Sequence, residues 1–584
     1  MTEEPRALEP SPPTIAGEQC SGRAETAASG RADEASSHAA PSASAPAGSP
    51  GRASSALVAA GILLSRIAGL VRERLLAVYF GAGLHADVFS AALRMPNALQ
   101  NLLGEGTLSA SFIPVYSELL HEGRREEAGR VAGAIFALLL CVAAAIALLG
   151  VGLAPLLVRV LAPGFEGQRR ELTIAVVRIV FPMTGLLVLS AWALGILNSH
   201  RRFFLPYFAP VLWNASMIAA LVVFGRRLSL DGLLTALAWG AFAGGALQFA
   251  VQLPSVFKLD REIRLNGGRG LAGVREAVRN AGPAILGRGV VQLSTYIDMI
   301  LASLLAIGAL ARLRYAQTLY LLPISLFAMS VAAAALPELA RRRGGVTAAL
   351  REQTAAAVQR VAFYVVPSGV AFVLLGRVFV AGLYEAGQFG AADVEVVWFT
   401  LAAYSLGLFA SAATRVYQSA FFALRDTKTP ARAASVRVAV SSLAGALLMI
   451  QFEPITIGGA TIPAGLFGAV QVAGLPLGPV GLALGAAAAA WTEWALLRGR
   501  LARRVGGVGI GAGVLAKMLI AALAAAAAGL AAASALESVP PLPSALTAAA
   551  AFGVVYFGVG RLLGLAEAKA WTAGLRRLAL RKHR

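Results

Sequence analysis

The chain is poor in the residues that carry covalent or metal chemistry. It has two cysteines in 584 residues, Cys20 near the N-terminus and Cys141 inside an apolar run, so it builds no disulfide framework and no cysteine-based metal site. Its five histidines, His38, His85, His121, His200 and His583, fall in tails or predicted loops, and neither an HExxH zinc signature nor a GxSxG nucleophile elbow occurs. No cofactor is called for. Charge is also scarce: 14% of residues are charged and 57% hydrophobic, whereas soluble domains run nearer 25% and 45–50%. That balance excludes an ordinary soluble protein and leaves a soluble helical repeat protein far behind a polytopic membrane protein.

Acidic residues are fewer than basic ones, 31 Asp and Glu against 51 Lys and Arg, for a net charge of +20. The surplus is spread over the ends of apolar runs rather than gathered in one basic domain. It therefore reads as a topology signal, and nucleic acid is not an expected partner.

Fourteen apolar stretches are long enough to cross a bilayer, which takes about 20 residues each: 54–80, 84–118, 128–157, 172–198, 207–225, 231–257, 278–305, 309–337, 354–382, 395–423, 431–451, 476–497, 512–535 and 541–563. The expected fold is an all-α polytopic membrane protein. Basic clusters such as Arg201–Arg202, Lys258 to Arg275, Arg341 to Arg343 and Arg498 to Arg504 follow even-numbered spans. The positive-inside rule then puts both termini in the cytoplasm. Residues 1–52, rich in Ala, Ser, Pro and Gly, are expected to be disordered. The stretch QFEPITIGGATIPAGLFGAVQVAG, with its alternation around Gly458-Gly459 and no basic residue, reads as an external hairpin.

An internal repeat is visible. VRVLAPGFEG, ending the third span, matches RVFVAGLYEAGQFG near the end of the ninth, with Phe165 and Phe389 224 residues apart. NSHRRFFLP matches FFALRDTKTP with Pro206 and Pro430 again 224 apart, and FIPVYSE matches ALPELAR through Pro114 and Pro337 at an offset of 223. Spans 1–6 and 7–12 are thus expected to be duplicated lobes, residues 53–258 and 259–505. An even number of spans makes the repeats parallel, with substrate at their interface. Residues 506–565 hold two further spans and 566–584 a basic tail.

The stretch from Ser65 to Glu118 carries Arg66, Arg72, Glu73, Arg74, Asp87, Arg94 and Glu105 within two apolar spans. An ionisable group at bilayer depth costs about 2.5–3.5 kcal/mol on insertion scales, so several of them imply a water-filled or protein-lined cavity. Arginine suits the passage of a phosphate because its planar fork binds in a bidentate way and keeps its proton. Arg72 and Arg74 diverge by about 200° around a helix and cannot both face one cavity. Arg74 is expected at the helix surface.

The motif SRxxGLVRExLLAxxFGAGxxADxF followed by RxPNxLxxLxxEGxLSxxFIPVxxE resembles the opening of the MurJ (MviN) family, the lipid II flippases of the multidrug/oligosaccharidyl-lipid/polysaccharide exporter superfamily. The resemblance implies a two-lobe flippase, no covalent chemistry, a cavity arginine at Arg72, polar roles for Asp87, Asn97 and Glu105, and a lipid groove formed by spans 13 and 14. It implies a multi-pass bacterial inner-membrane protein, expected to be a monomer, whose expected partners are a lipid-linked anionic glycan, membrane lipids and the cell-wall synthesis machinery.

Two departures stand out. Gln100 and Thr318 occupy positions where the family has cavity arginines, and we expect Arg72, Arg94, Arg288 and Arg314 to rebuild the positive cavity beside Asn97, Gln100 and Thr318. Arg66, Glu73, Asp87 and Glu105 are the candidate gating or ion-pair residues. For ion coupling the resemblance points to sodium in the second lobe at Asp298, near Thr492 and Glu493. Ser441 and Gly445 stand where the family has asparagines. Three couplings stay open: sodium at Asp298, a proton on Asp298 and Glu493, or the membrane potential alone. The reading is a lipid II flippase working by alternating access. Its rivals are a flippase for another polyprenyl-linked glycan, a cation-coupled exporter of the same superfamily and, last, a membrane-embedded glycan polymerase.

Overall fold

The computed structural model describes residues 52–265, 268, 270–328, 346–457, 460–468, 470–536 and 538–570. The N-terminal tail, most of the basic C-terminal tail, Pro337 of the third repeat match and Gly458-Gly459 lie outside them. In the first half of the chain come α1 (Arg52–Phe80), α2 (Leu84–Leu103), α3 (Glu105–His121), α4 (Arg125–Gly152), α5 (Ala154–Leu161), α6 (Gly167–Ser199), α7 (Phe204–Phe224), α8 (Leu230–Ala250) and α9 (Leu253–Leu259). The second half has α10 (Ala272–Ser303), α11 (Ala309–Pro323) with a π-helical turn (Ile324–Ala328), α12 (Val346–Leu374), α13 (Gly376–Tyr384), α14 (Ala391–Leu406), α15 (Leu408–Ala423), α16 (Lys428–Phe452) and α17 (Gly478–Val505). Two more helices, α18 (Ala512–Ser534) and α19 (Pro541–Leu562), close the chain.

Among the described residues nine helices are long and apolar enough to cross a membrane, ten if the bent pair α14–α15 counts as one. Each of the fourteen expected stretches falls on helix over its described part. Besides the sixth, which is interrupted by a turn at Val251 and Gln252 between α8 and α9, four of them are not single rods. The second breaks at Gly104, the third at Leu153 ahead of Pro155, the ninth at Leu375 and the tenth at Gly407 with a 40° bend. Pro155 lacks the N–H that a continuing helix would use, so it starts α5 afresh.

The two halves pack alike. In the first, α1 lies on α7, α2 on α6, α4 on α6, α7 on α8 and α6 on α8. In the second, α10 lies on α16, α11 on α14, α12 on α15, α16 on α17 and α14 and α15 on α17. Each of these pairings in one half has its counterpart in the other. Helices α18 and α19 pack on each other and against α12 and α13, outside both lobes. The expected hairpin is present, with β1 (Ile455–Ile457) antiparallel to β2 (Ala460–Ile462) and a second pair, β3 (Gln471–Val472) with β4 (Leu475–Pro476).

The lobes grip each other by exchanged contacts at the end of the bundle where α1 finishes. Gln388 donates its backbone N–H to the Val78 carbonyl at 2.9 Å. Reciprocally, the Gly164 N–H reaches Ser303 Oγ at 3.3 Å. Residues 164 and 388 are 224 apart, and Ser303 lies 225 beyond Val78, so the two contacts are images of one another.

Candidate functional site

Helices α2 and α11 run side by side along the axis that relates the lobes, because residues of one touch their own repeat-mates in the other. Asp87 Oδ1 accepts from the Ala311 N–H at 2.8 Å and Arg314 Nη1 donates to Ser90 Oγ at 3.2 Å, both pairs separated by 224 residues. One turn further, Arg94 Nη2 donates to Gln317 Oε1 at 2.7 Å. Asp87 and Arg94 of the second span are thereby delivered to the lobe interface.

At the outermost turn Asp87 is fully buried. Its Oδ2 accepts from Arg169 Nη2 at 2.5 Å and from the Gly308 N–H at 2.6 Å. A carboxylate from one lobe therefore caps the N-terminus of α11 in the other, satisfying amides that the helix itself leaves unpaired. The repeat-mate of this ion pair is Arg312 with Asp393, at 3.1 Å, and its polarity is reversed. Arg169 and Asp393 are 224 residues apart; Asp87 and Arg312 are 225 apart.

One layer inward sits the arginine centre. Glu73 Oε1 accepts from Arg72 Nη2 at 2.6 Å and from Arg314 Nη2 at 2.7 Å. Arg72 Nη1 also donates to Asn214 Oδ1 at 2.9 Å, and its guanidinium lies 5.1 Å from the Trp213 ring centre. Arg314 lies 5.5 Å from that of Phe89. One carboxylate thus holds two guanidiniums from different lobes and leaves the trio with one net positive charge. Beside it, Gln317 links Arg94 to Tyr404 through a 2.9 Å bond from its Nε2 to the tyrosine hydroxyl.

The third cluster belongs to the second lobe. Arg437 Nη1 donates to Glu493 Oε2 at 2.8 Å, and Gln418 Nε2 to Glu493 Oε1 at 3.0 Å. Asp298 lies within electrostatic reach of Arg94 and Arg437, and Arg415 within reach of Arg437 and Glu493. Neither the Asp298 carboxylate nor the Arg415 guanidinium makes a hydrogen bond or ion pair among the described residues. Five arginines, 72, 94, 314, 415 and 437, face three carboxylates, 73, 298 and 493. The interior keeps a surplus of positive charge.

The other sequence candidates fall as follows. Asn97 and Gln100 are half-buried on α2, and their neighbour Asn101 donates to Gln292 at 3.3 Å. Thr318 donates its hydroxyl to the Arg314 carbonyl at 2.9 Å, and Thr492 does the same to Ala488. Arg66 makes no ion pair among the described residues. The side chains of Glu105 and Arg288 lie outside them. Arg74, expected to snorkel or pair at the helix surface, pairs there: its Nη1 donates to the carbonyls of Gly382 and Leu383 at 2.7 and 3.0 Å, closing the C-terminus of α13 in the other lobe. The sequence reading missed Arg169, Asn214, Gln317, Tyr404, Arg415, Gln418 and Arg437. Arg415 and Arg437 carried a usable signal, each being a lone arginine well inside an apolar span.

Two halves of matching helix packing, joined around a cluster of buried arginines and carboxylates and followed by two further helices, define an all-α multi-pass membrane protein with a transporter fold. The family model described as "Lipid II flippase MurJ" matches residues 76–473. The chain is 35% identical over 422 residues, 71% of its own length and 79% of the relative's, to a probable lipid II flippase MurJ of Rhizobium tropici. It is 35% identical over 381 residues, 64% of this chain and 73% of the relative, to the lipid II flippase MurJ of Burkholderia cenocepacia. A solved lipid II flippase MurJ in an inward closed conformation superposes with a TM-score of 0.69 at 23% identity, covering 87% of this chain and 99% of that one. An outward-facing multidrug resistance MATE family transporter of the MOP superfamily gives 0.51 at 15% identity, over 77% and 96%. The chain belongs to the MurJ family.

Proposed function

We propose that the protein carries lipid II, the undecaprenyl-diphosphate-linked peptidoglycan precursor, from the inner to the outer leaflet of the bacterial cytoplasmic membrane. The observation that carries this reading is the shared carboxylate: Glu73 holds Arg72 of one lobe and Arg314 of the other, both within 2.7 Å, on the axis between the lobes. An anionic diphosphate entering there competes with Glu73 for two forked donors. Exchange of one anion for another at a lobe interface is how a substrate loosens one closed state in favour of another.

Arg314 stands one turn before Thr318, so it brings positive charge to the region where the family's arginine is missing. Arg94 sits within reach of the same interface and is held only by a neutral amide, Gln317. Topology follows from the basic loops after even-numbered spans, which put both termini in the cytoplasm. The bond chemistry of the cargo is untouched; the work is translocation.

The test is complementation of a flippase-depleted bacterium, scored by the appearance of lipid II in the outer leaflet. The wild type is expected to rescue, Arg72→Ala and Arg314→Ala to fail at wild-type expression, and Thr318→Val to rescue. A well-expressed wild type that does not move lipid II overturns the proposal and shifts it to another polyprenyl-linked glycan on the same fold.

A further inference from the structure

The second-lobe cluster contains more than an anion's binding site would need. The family resemblance implies a sodium ion near Asp298, Thr492 and Glu493, and the residues present fit such an ion poorly. A hard cation is held by a shell of oxygen ligands free to turn toward it. Both carboxylate oxygens of Glu493 are already engaged, Oε2 by Arg437 at 2.8 Å and Oε1 by Gln418 at 3.0 Å. The Thr492 hydroxyl is turned back onto the Ala488 carbonyl at 2.9 Å. Ser441 and Gly445 occupy α16 where two amide side chains would supply further oxygen, and Gly445 has no side chain at all. Among the described residues no group of three or more His, Cys, Asp or Glu is arranged to hold a metal.

What the cluster has instead is a cation of its own. Arg437 arises from the middle of α16 and reaches across to α17, where Glu493 is 1% exposed. A carboxylate so deeply placed is expensive unless it is paired and hydrogen-bonded, and here it is both. Arg415 from α15 adds a second guanidinium within electrostatic reach, while Asp298 from α10 balances part of the sum. A mobile monovalent cation entering this cluster would find only the Asp298 carboxylate unengaged, already in the field of Arg437 and Arg94, with Arg415 close to the Arg437–Glu493 pair.

We propose that Arg437 is a tethered counter-cation, occupying permanently the place in the second lobe that a dissociable sodium ion would otherwise fill, so that this transporter has no sodium site. The charge that a bound ion would bring and take away in each cycle is then covalently attached. Removing it should recreate the vacancy: Glu493 would keep Arg415, and Asp298 would keep Arg94, as the only nearby guanidiniums among the described residues, and a small soluble cation would gain a seat.

The experiment is thermal unfolding of the purified full-length protein in detergent, in sodium, potassium or N-methyl-D-glucamine chloride at equal ionic strength. The wild type and Arg437→Lys are expected to melt at the same temperature in all three salts. Arg437→Ala should melt lower in N-methyl-D-glucamine and recover by several degrees, saturably, in sodium or potassium. A saturable, sodium-specific stabilisation of the wild type overturns the proposal, as does a folded Arg437→Ala indifferent to the cation. If Arg437→Ala does not fold, the wild type and Arg437→Lys still decide: salt-independence supports the tethered cation and a sodium-specific rise sinks it. No lipid substrate enters the assay, so its result is independent of whether the cargo is lipid II.

Discussion

Replacing Asp87 by asparagine tests the junction where the lobes meet. The carboxylate has no exposure to solvent and accepts three bonds, from Arg169 Nη2 at 2.5 Å, the Gly308 N–H at 2.6 Å and the Ala311 N–H at 2.8 Å. Asparagine keeps one acceptor oxygen and turns the other into an NH₂ group, which must point at a donor whichever way it is flipped. The substitution therefore strips the charge from a buried pair and orphans at least one N–H. Breaking a buried ion pair by removing one partner costs about 3–5 kcal/mol. An orphaned buried donor costs about 1–3 kcal/mol, and since both losses sit on one side chain they overlap rather than add. We expect about 3–5 kcal/mol for Asp87→Asn. The reversed mate is a built-in control: Arg312 and Asp393 are 3.1 Å apart with the carboxylate 15% exposed, so Asp393→Asn should cost about 1–3 kcal/mol. Denaturant unfolding of the purified protein measures both. Adding Arg169→Met to Asp87→Asn should recover part of the loss, because no bare guanidinium then remains. The reasoning is refuted if Asp87→Asn lies within about 0.5 kcal/mol of wild type, the usual range of a neutral surface change, or proves milder than Asp393→Asn.

Glu73→Gln should loosen the arginine centre, leaving two guanidiniums at 2.6 and 2.7 Å from a neutral amide, and lower the unfolding midpoint more than Glu395→Gln, whose ion pair with Arg377 is exposed. Equal midpoints would sink it. Gly308 and Gly387 have φ of +93° and +60°, and an added Cβ would overlap the carbonyl oxygens of Ala82 and Val78 across the lobe interface. Alanine at either position should therefore reduce the yield of folded protein, whereas Gly390→Ala, in open space, should not. His200, outside the spans, accepts or donates a 3.0 Å bond with the Tyr116 hydroxyl, and burial, with Arg125 adding to it, pushes its pKa below the usual value against the pull of Asp260. The folded state thus disfavours the imidazolium: stability is full above about pH 6.5, the unfolded value, and is lost as pH falls from there through the lower folded value. His200→Asn should flatten the acid side of the unfolding-midpoint profile, and curves parallel to wild type would refute the assignment.

The spans and the duplication were legible because both are written in local pattern. Apolar length marks a crossing, and a fixed offset marks a copied one. The breaks inside four spans were less so, although Pro155 and Gly407 gave local cues, because hydropathy runs smoothly across a bend. Arg72 was singled out from the sequence as the cavity arginine, but its partner Asn214 lies 142 residues away and is fixed by the packing of α1 on α7. Arg74 shows the same limit from the other side. Its angle around the helix separates it from Arg72, but only the tertiary fold brings the end of α13 to meet it.

The repeat held one further signal that the offset alone could have exposed. Moving 224 residues along the chain takes Arg169 to Asp393 and brings Asp87 beside Arg312, so an acid–base pair in one lobe maps onto a base–acid pair in the other. Duplication copies geometry, and afterwards each copy has only to keep opposite charges facing each other, not the original order. The lobe interface adds a reason for the order seen here. Asp87 also caps α11 across the axis, and a helix N-terminus accepts a carboxylate but repels a guanidinium. On the second-lobe side of the same pair, Arg312 lies in the first turn of α11 beside that carboxylate, where a second acid would have added to its charge. Reversal thus lets one carboxylate serve a salt bridge within its own lobe and a helix terminus in the other, which an identical copy could not do.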